Sequence, residues 1–99
     1  TEFVLEQNYP NPFNPQTIIS YSLPASSHVS LRIYSVTGQL VRTLYDGDDV
    51  VGRHAVLWDG MNDRGNSVGS GVYFYRLGAA PRSGTFKGFV QTKKLLLLR

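Results

Sequence analysis

Ninety-nine residues, 41% hydrophobic and 17% charged, make one globular domain with a single core. The lack of cysteine excludes a disulfide framework, a Cys-based zinc site and a thiol nucleophile, and no apolar run approaches the ~20 residues of a membrane-spanning helix. The formal charge of +3 is unevenly spread: Arg82, Lys87, Lys93, Lys94 and Arg99 crowd an acid-free C-terminal stretch, while Asp46, Asp48, Asp49, Asp59 and Asp63 gather mid-chain, a pattern that solvated strand and turn faces explain.

The chain opens on Thr1 without a basic-then-apolar leader and reads as an excised part of something longer. Residues 1–16 form a linker and Pro-rich lead-in. Within them, 1–7 are a linker or a short first strand, and Asn8 to Pro15 (NYPNPFNP) is extended, because closely spaced prolines remove backbone donors and disfavour helix. Tyr9 and Phe13 are expected to cover one edge of the core.

From Thr17 the period is two. Ile19, Tyr21 and Leu23 share a face, then Val29, Leu31 and Ile33 alternate with outward Ser30 and Arg32, with turns at 24–27 and Thr37-Gly38. Leu40, Val41 and Leu44 suit a helical turn or a strand, and their neighbours favour strand. Asp46 to Gly52 reads as a polar tip. His54, Val56 and Trp58 then alternate inward, and turns follow at Asp59-Gly60 and 63–66. Gly71 to Ala79 is apolar on both faces, as in an interior strand, and 85–98 is expected to pair beside it. Aromatic and β-branched richness, with turn signals every 8–12 residues, predicts an all-β immunoglobulin-like sandwich of about seven antiparallel strands.

Chemistry is poorly supported. Gly65-Asn66-Ser67-Val68-Gly69 matches a nucleophile-elbow pattern, but that pattern needs a following helix and a downstream acid and His, and no Asp, Glu or His follows Asp63. The aspartates at 46–49 and at 59 and 63 could hold calcium, yet Met61 occupies the middle ligand position and Asx turns explain the same residues. His28 and His54 stand isolated. The expectation is a non-catalytic chain with no metal, cofactor or nucleic-acid site, since the basic end lacks dense Arg or a sheet-face aromatic motif.

Several segments in order carry a resemblance: Asn11, Pro12, Phe13, Asn14 and Pro15 within NYPNPFNP, then 17–24, Ile33-Tyr34 with Gly38, Trp58-Asp59-Gly60, Ser70-Gly71-Val72-Tyr73 and a Lys-rich terminal strand. Together they resemble a type IX secretion C-terminal sorting domain of type A, the Por secretion family, related to flagellar hook-cap-like immunoglobulin domains. The resemblance implies a sorting domain over 17–99, fused behind a parent cargo protein. Its implied partners are the type IX translocon, shuttle and sortase proteins, with passage through the periplasm to the cell surface or medium. The residues it implies for signal recognition are Gly71, Tyr73, Lys94, Leu95, Leu96, Leu97, Leu98 and Arg99. Two features depart from the pattern: 79–88 is longer than the usual last hairpin, and a plain Leu run replaces a Lys-Met pair.

Physical reasoning reaches the same end of the chain. A last strand at a sheet edge offers unpaired backbone for strand addition, so 91–99 is expected to dock on a partner, with Arg99 a true C-terminus. The alternative is an accessory immunoglobulin-like spacer, or a carbohydrate-binding module of a secreted polysaccharide-degrading enzyme with Tyr34, Tyr45 and Phe86 as an aromatic row.

Overall fold

In this computed structural model, which describes residues 2–82, 84 and 87–99, period-two side chains sort the chain into strands of two antiparallel sheets. The first sheet has the order β1 (Val4–Leu5), β2 (Thr17–Leu23) and β5 (Gly52–Trp58). The second runs β4 (Leu40–Asp49), β3 (Ser27–Ser35), β6 (Gly71–Pro81) and β7 (Phe89–Leu97). No described residue is helical, so β4 is a strand, with two register shifts against β3. Of the last strand anticipated over 85–98, Thr85 and Phe86 lie outside the described residues.

The core is the space between the sheets. Ile19, Tyr21 and Leu23 of β2 face Val29, Leu31 and Ile33 of β3, and β6 adds Tyr75, Leu77 and Ala79 in register with those three β3 residues. β7 closes the layer with Leu95 and Leu97. Burial of each such side chain contributes roughly 1.5–3 kcal/mol, so the alternation read in the sequence is also the main energetic term.

Two expectations are corrected. Asp46 to Asp49 is not a tip: these residues stay in β4, and the chain turns only at Val50-Val51. Asp46 and Asp48 lie opposite Ser30 and His28, where His28 Nε2 and Nδ1 reach them at 3.1 and 3.4 Å and Arg32 reaches Asp46 at 3.1 Å. Cross-strand pairing of this kind offsets the poor strand propensity of an Asp run. Tyr9, expected against the core, is 80% exposed, whereas Phe13 is 2% exposed. Tyr9 exchanges both backbone hydrogen bonds with Ile18, whose side chain points outward, and residues opposite one another in an antiparallel pair share a face.

Residues 2–16 belong physically to the sandwich. Leu5 and Phe13 lie in the core, and β1 pairs with β2. Asn8, also buried, donates from Nδ2 to Thr17 Oγ1 and the Pro10 carbonyl, and its N–H meets the Tyr75 hydroxyl at 2.9 Å. The Tyr75 hydroxyl in turn donates to the Glu6 carbonyl at 2.7 Å. Phe13→Ala is therefore expected to cost about 3–5 kcal/mol in urea denaturation, the range for deleting a core aromatic, against under about 0.5 kcal/mol for a linker position.

Burial pushes the Tyr75 phenol up to about 12, partly countered by the Asn8 N–H. An unfolded Tyr ionises near about 10. The folded value is the higher one, so this stability is complete below about pH 10 and fades as pH climbs toward about 12. Burial, then Asp49, also raises the Tyr21 phenol, so the Tyr75 share is read by difference. In thermal melts, Tyr75→Phe should begin less stable than the parent and lose less of its Tm across that alkaline range.

Candidate functional site

The motifs singled out in the sequence meet at one end of the sandwich. Trp58, fully buried at the end of β5, packs against Phe13 on one side and Tyr73 on the other, with ring centroids 5.5 and 5.6 Å apart. Its indole N–H donates to the Met61 carbonyl at 2.9 Å, while Asp59 Oδ1 accepts the Met61 N–H and a contact from Arg42 Nη1 at 3.2 Å. Gly60 turns with φ of 77°, and a Cβ there would sit 2.7 Å from Arg99 Nη2 and 3.1 Å from the Pro15 carbonyl. Each position of Trp-Asp-Gly thus has its own physical reason: a core ring, a turn cap and a left-handed residue with no room for a side chain.

Arg99 completes the arrangement. Its N–H donates to Ser70 Oγ at 2.9 Å, its Nε to the Val68 carbonyl at 2.6 Å and its Nη2 to the Gly60 carbonyl at 2.7 Å. The last side chain is therefore a clasp between the β7 end and the loop after β5. Gly71, with φ of 151°, lets β6 start beside it, and the Tyr73 hydroxyl donates to the Gly69 carbonyl at 2.7 Å.

Along β7 the residues that the resemblance implies for recognition divide. Leu95 and Leu97 point into the core, Leu96 is half-buried, and Lys94 and Leu98 are exposed. Even-numbered residues also aim their backbone away from β6, and this outer edge, expected to be open, is partly covered. The Lys94 carbonyl accepts from Gln7 Nε2, the Leu96 N–H donates to Asn11 Oδ1, the Leu96 carbonyl accepts from Phe13 N–H, and the Leu98 N–H donates to the Phe13 carbonyl. Phe13 runs parallel to Leu97 there. Of the edge expected to be free over 91–99, the part before the Lys94 carbonyl takes no hydrogen bond from another described residue, and the lead-in pairs with the rest. Asn11, Pro12, Asn14 and Pro15 are exposed around the buried Phe13.

The remaining candidates fall elsewhere. The guanidinium of Arg42 lies against Asp59, at 3.2 Å, and near Asp63, at 3.8 Å, where a shared cation would have to sit. Asp63 also accepts from the Thr43 N–H and donates its own N–H to the Val41 carbonyl, strapping the loop to the β4 edge. At the opposite end of the sandwich, the hydrogen bond from His28, followed by Arg82, holds the Asp48 carboxyl below the usual carboxylate range. Asp49 meets Tyr21 Oη at 2.8 Å and His54 Nδ1 at 3.3 Å. No group of three or more His, Cys, Asp or Glu among the described residues could hold a metal ion.

Ser67 is an exposed residue bridged to Met61. A depression of about 370 Å³ lies between β4 and the 62–68 loop, and its one carboxylate, Asp63, is already engaged. The aromatic row does not form. Tyr34 points to the outer face under Arg76, with 5.3 Å from guanidinium to ring, whereas Tyr45 packs toward the core and Phe86 lies outside the described residues. Sequence reading did not single out Asn8, Arg42 or Tyr75 for their bonds, which include ones to Thr17, Asp59 and Glu6, remote in the chain.

Two sheets packed face to face, closed by a lead-in that leaves the first and joins the second, define an immunoglobulin-like β-sandwich. The FlgD Ig-like domain family matches residues 13–82, and the chain belongs to that family. Among solved structures, the latent dimeric PorU of Porphyromonas gingivalis superposes with a TM-score of 0.75 at 22% identity, over 99% of this chain and 10% of that one. FlgD of P. aeruginosa gives 0.62 at 28% identity, over 82% of this chain and 61% of that one. PorZ, described as an essential surface component of the type IX secretion system of P. gingivalis, gives 0.52 at 24% identity, over 94% and 11%. The chain thus spans a small part of PorU and PorZ and under two thirds of FlgD. No curated protein matches its sequence.

Gly60→Ala should cost about 2 kcal/mol or more in urea denaturation, combining the left-handed penalty with the close Pro15 carbonyl. In the same assay Arg99→Ala should lose about 1 kcal/mol, the net worth of a typical hydrogen bond at a partly solvated site.

Proposed function

We propose that this domain is the sorting module of a larger secreted or surface protein, delivered through type IX secretion. It does no chemistry of its own: the parent supplies the activity, and the module presents the Trp58 end with its exposed β7 residues to the secretion apparatus. One observation carries the reading. Four of the segments that resemble the sorting-domain pattern, those of Phe13, Trp58-Asp59-Gly60, Tyr73 and Arg99, lie far apart in the chain and converge at one end of the sandwich. The likeness in fold to domains of PorU and PorZ supports it.

Within that reading, Leu95, Leu97 and Arg99 hold the signal in shape, and Lys94, Leu96 and Leu98 are its accessible part. Truncation at Lys94 would empty two core positions and open the clasp, so lost export would not separate a missing signal from an unfolded domain. Surface variants do separate them. The domain, fused behind a periplasm-directed fluorescent protein in a type IX-competent bacterium, should carry fluorescence to the surface or medium. The triple variant Lys94→Ala, Leu96→Ser, Leu98→Ser should leave it in the periplasm, with the purified domain still folded by circular dichroism. Periplasmic retention of the unaltered, folded fusion would instead make the domain an accessory spacer.

A further inference from the structure

Of the four sheet edges, that of β1 is only two residues long, which leaves those of β4, β5 and β7 as candidates for a partner. The β4 edge is strapped at Val41 and Thr43 by Asp63, and farther along Asp46 and Asp48 are paired with His28, Arg32 and Arg82. On the β5 edge Arg53 is paired with Glu6, and the His54 ring reaches Asp49 at 3.3 Å. The β7 edge differs from that of β4 in its open backbone and from both in its charge. From Val90 to the Lys94 N–H, no hydrogen bond from another described residue covers the outward backbone, and Val90 is 70% exposed.

Its charge is also uncompensated. Among the described residues, the ion pairs use Arg32, Arg42, Arg53, Arg82 and the two histidines, whereas Arg76, Lys87, Lys93 and Lys94 are in none. No acid follows Asp63 in the sequence. On the outer face, Arg76 is fixed between the Tyr34 ring and Thr92 Oγ1, 3.2 Å from its Nε, with Thr92 and Lys94 beside it on β7. An exposed edge normally carries charge to repel strands. A row of one sign repels its like and admits its opposite.

We infer that the Val90–Lys94 edge of β7 is a strand-addition site for an extended acidic segment of a partner protein. The added strand hydrogen-bonds to Val90, Thr92 and the Lys94 N–H, and its acidic side chains lie on the outer face opposite Lys94 and toward Arg76. Charge argues against a second copy as the occupant. Antiparallel self-pairing about Thr92 would bring two acid-free β6–β7 hairpins together, each bearing Arg76, Lys93 and Lys94. The inference deepens the sorting proposal by naming the chemistry of the partner segment.

The test uses the 99-residue chain, with no secretion step, so its failure and failure of the export experiment are separate results. A short capped peptide of alternating Thr and Glu is titrated while backbone amide resonances are followed, against a control of alternating Thr and Lys. Expected are saturable shifts and slowed amide exchange at Val90, Thr92 and Lys94 with the acidic peptide alone, weakening as salt rises. Thr92→Pro removes an outward N–H, and with it the hydroxyl that Arg76 bonds, while sparing the β6–β7 backbone ladder, and Lys94→Glu reverses one charge. Each should weaken binding about three- to tenfold, consistent with loss of a ladder bond or reversal of a cross-strand charge pair. If Thr92→Pro does not fold, Lys94→Glu decides alone. Equal binding of both peptides, shifts confined to other surfaces, no binding, or self-association that Lys94→Glu does not alter would overturn the inference.

Discussion

The structure depends on how its open flank is closed. Two sheets stacked face to face are joined by side chains in the middle, but at the side where β1 and β7 end them nothing in the strand order ties one to the other. Residues 5–18 do this by hydrogen-bonding in both directions. Glu6 and Tyr9 pair with β2, while Gln7, Asn11 and Phe13 pair with β7. Tyr75 reaches from the middle of the second sheet to the Glu6 carbonyl and Asn8 N–H, fixing the crossing point. With the crossing fixed, Phe13 can enter the core against Trp58. Leu95 and Leu97 are then held at the sheet edge.

This closure explains why the prolines fall where they do. A chain that must leave one sheet and join another cannot continue a ladder on the side it abandons, and Pro supplies no N–H to leave unsatisfied. Pro10, Pro12 and Pro15 surround Phe13, whose N–H and carbonyl make the bonds to β7. The same economy governs the edges. β4 is strapped by a loop aspartate and β7 is half closed by the lead-in, which leaves a short basic stretch of β7 open among the described residues.

Much of this was legible because burial imposes a period of two. The strands β2 and β3 show the alternation, β6 reads as an interior strand apolar on both faces, and Trp58 and Phe13 are aromatic residues beside turn residues, where a large ring must go somewhere dry. The polar 46–52 stretch misled because Gly and Asp signal a turn locally, while their place in β4 comes from partners on β3, in particular His28 and Arg32. Tyr9 and Phe13 look equivalent in a Pro-rich run, and only pairing to Ile18 turns one outward. Arg99 reads as a solvated end, and its clasp becomes visible once Gly60 and Val68 are known to lie beside it. Long-range backbone carbonyls leave no trace in residue type.

The crossing also has a mechanical meaning. Phe13 runs parallel to β7, and in parallel neighbours the leading end of one strand and the trailing end of the other lie in opposite directions. A pull between the two ends of the chain therefore slides Phe13 along Leu97, loading the bonds at Lys94, Leu96 and Leu98 together, where an antiparallel hairpin would open one bond after another. The buried Phe13 ring is a further stop against that sliding. A domain joined to a large folded body ahead of residue 1 would hold its last strand by shear, and would yield more readily to a force that peels Arg99 away from Gly60.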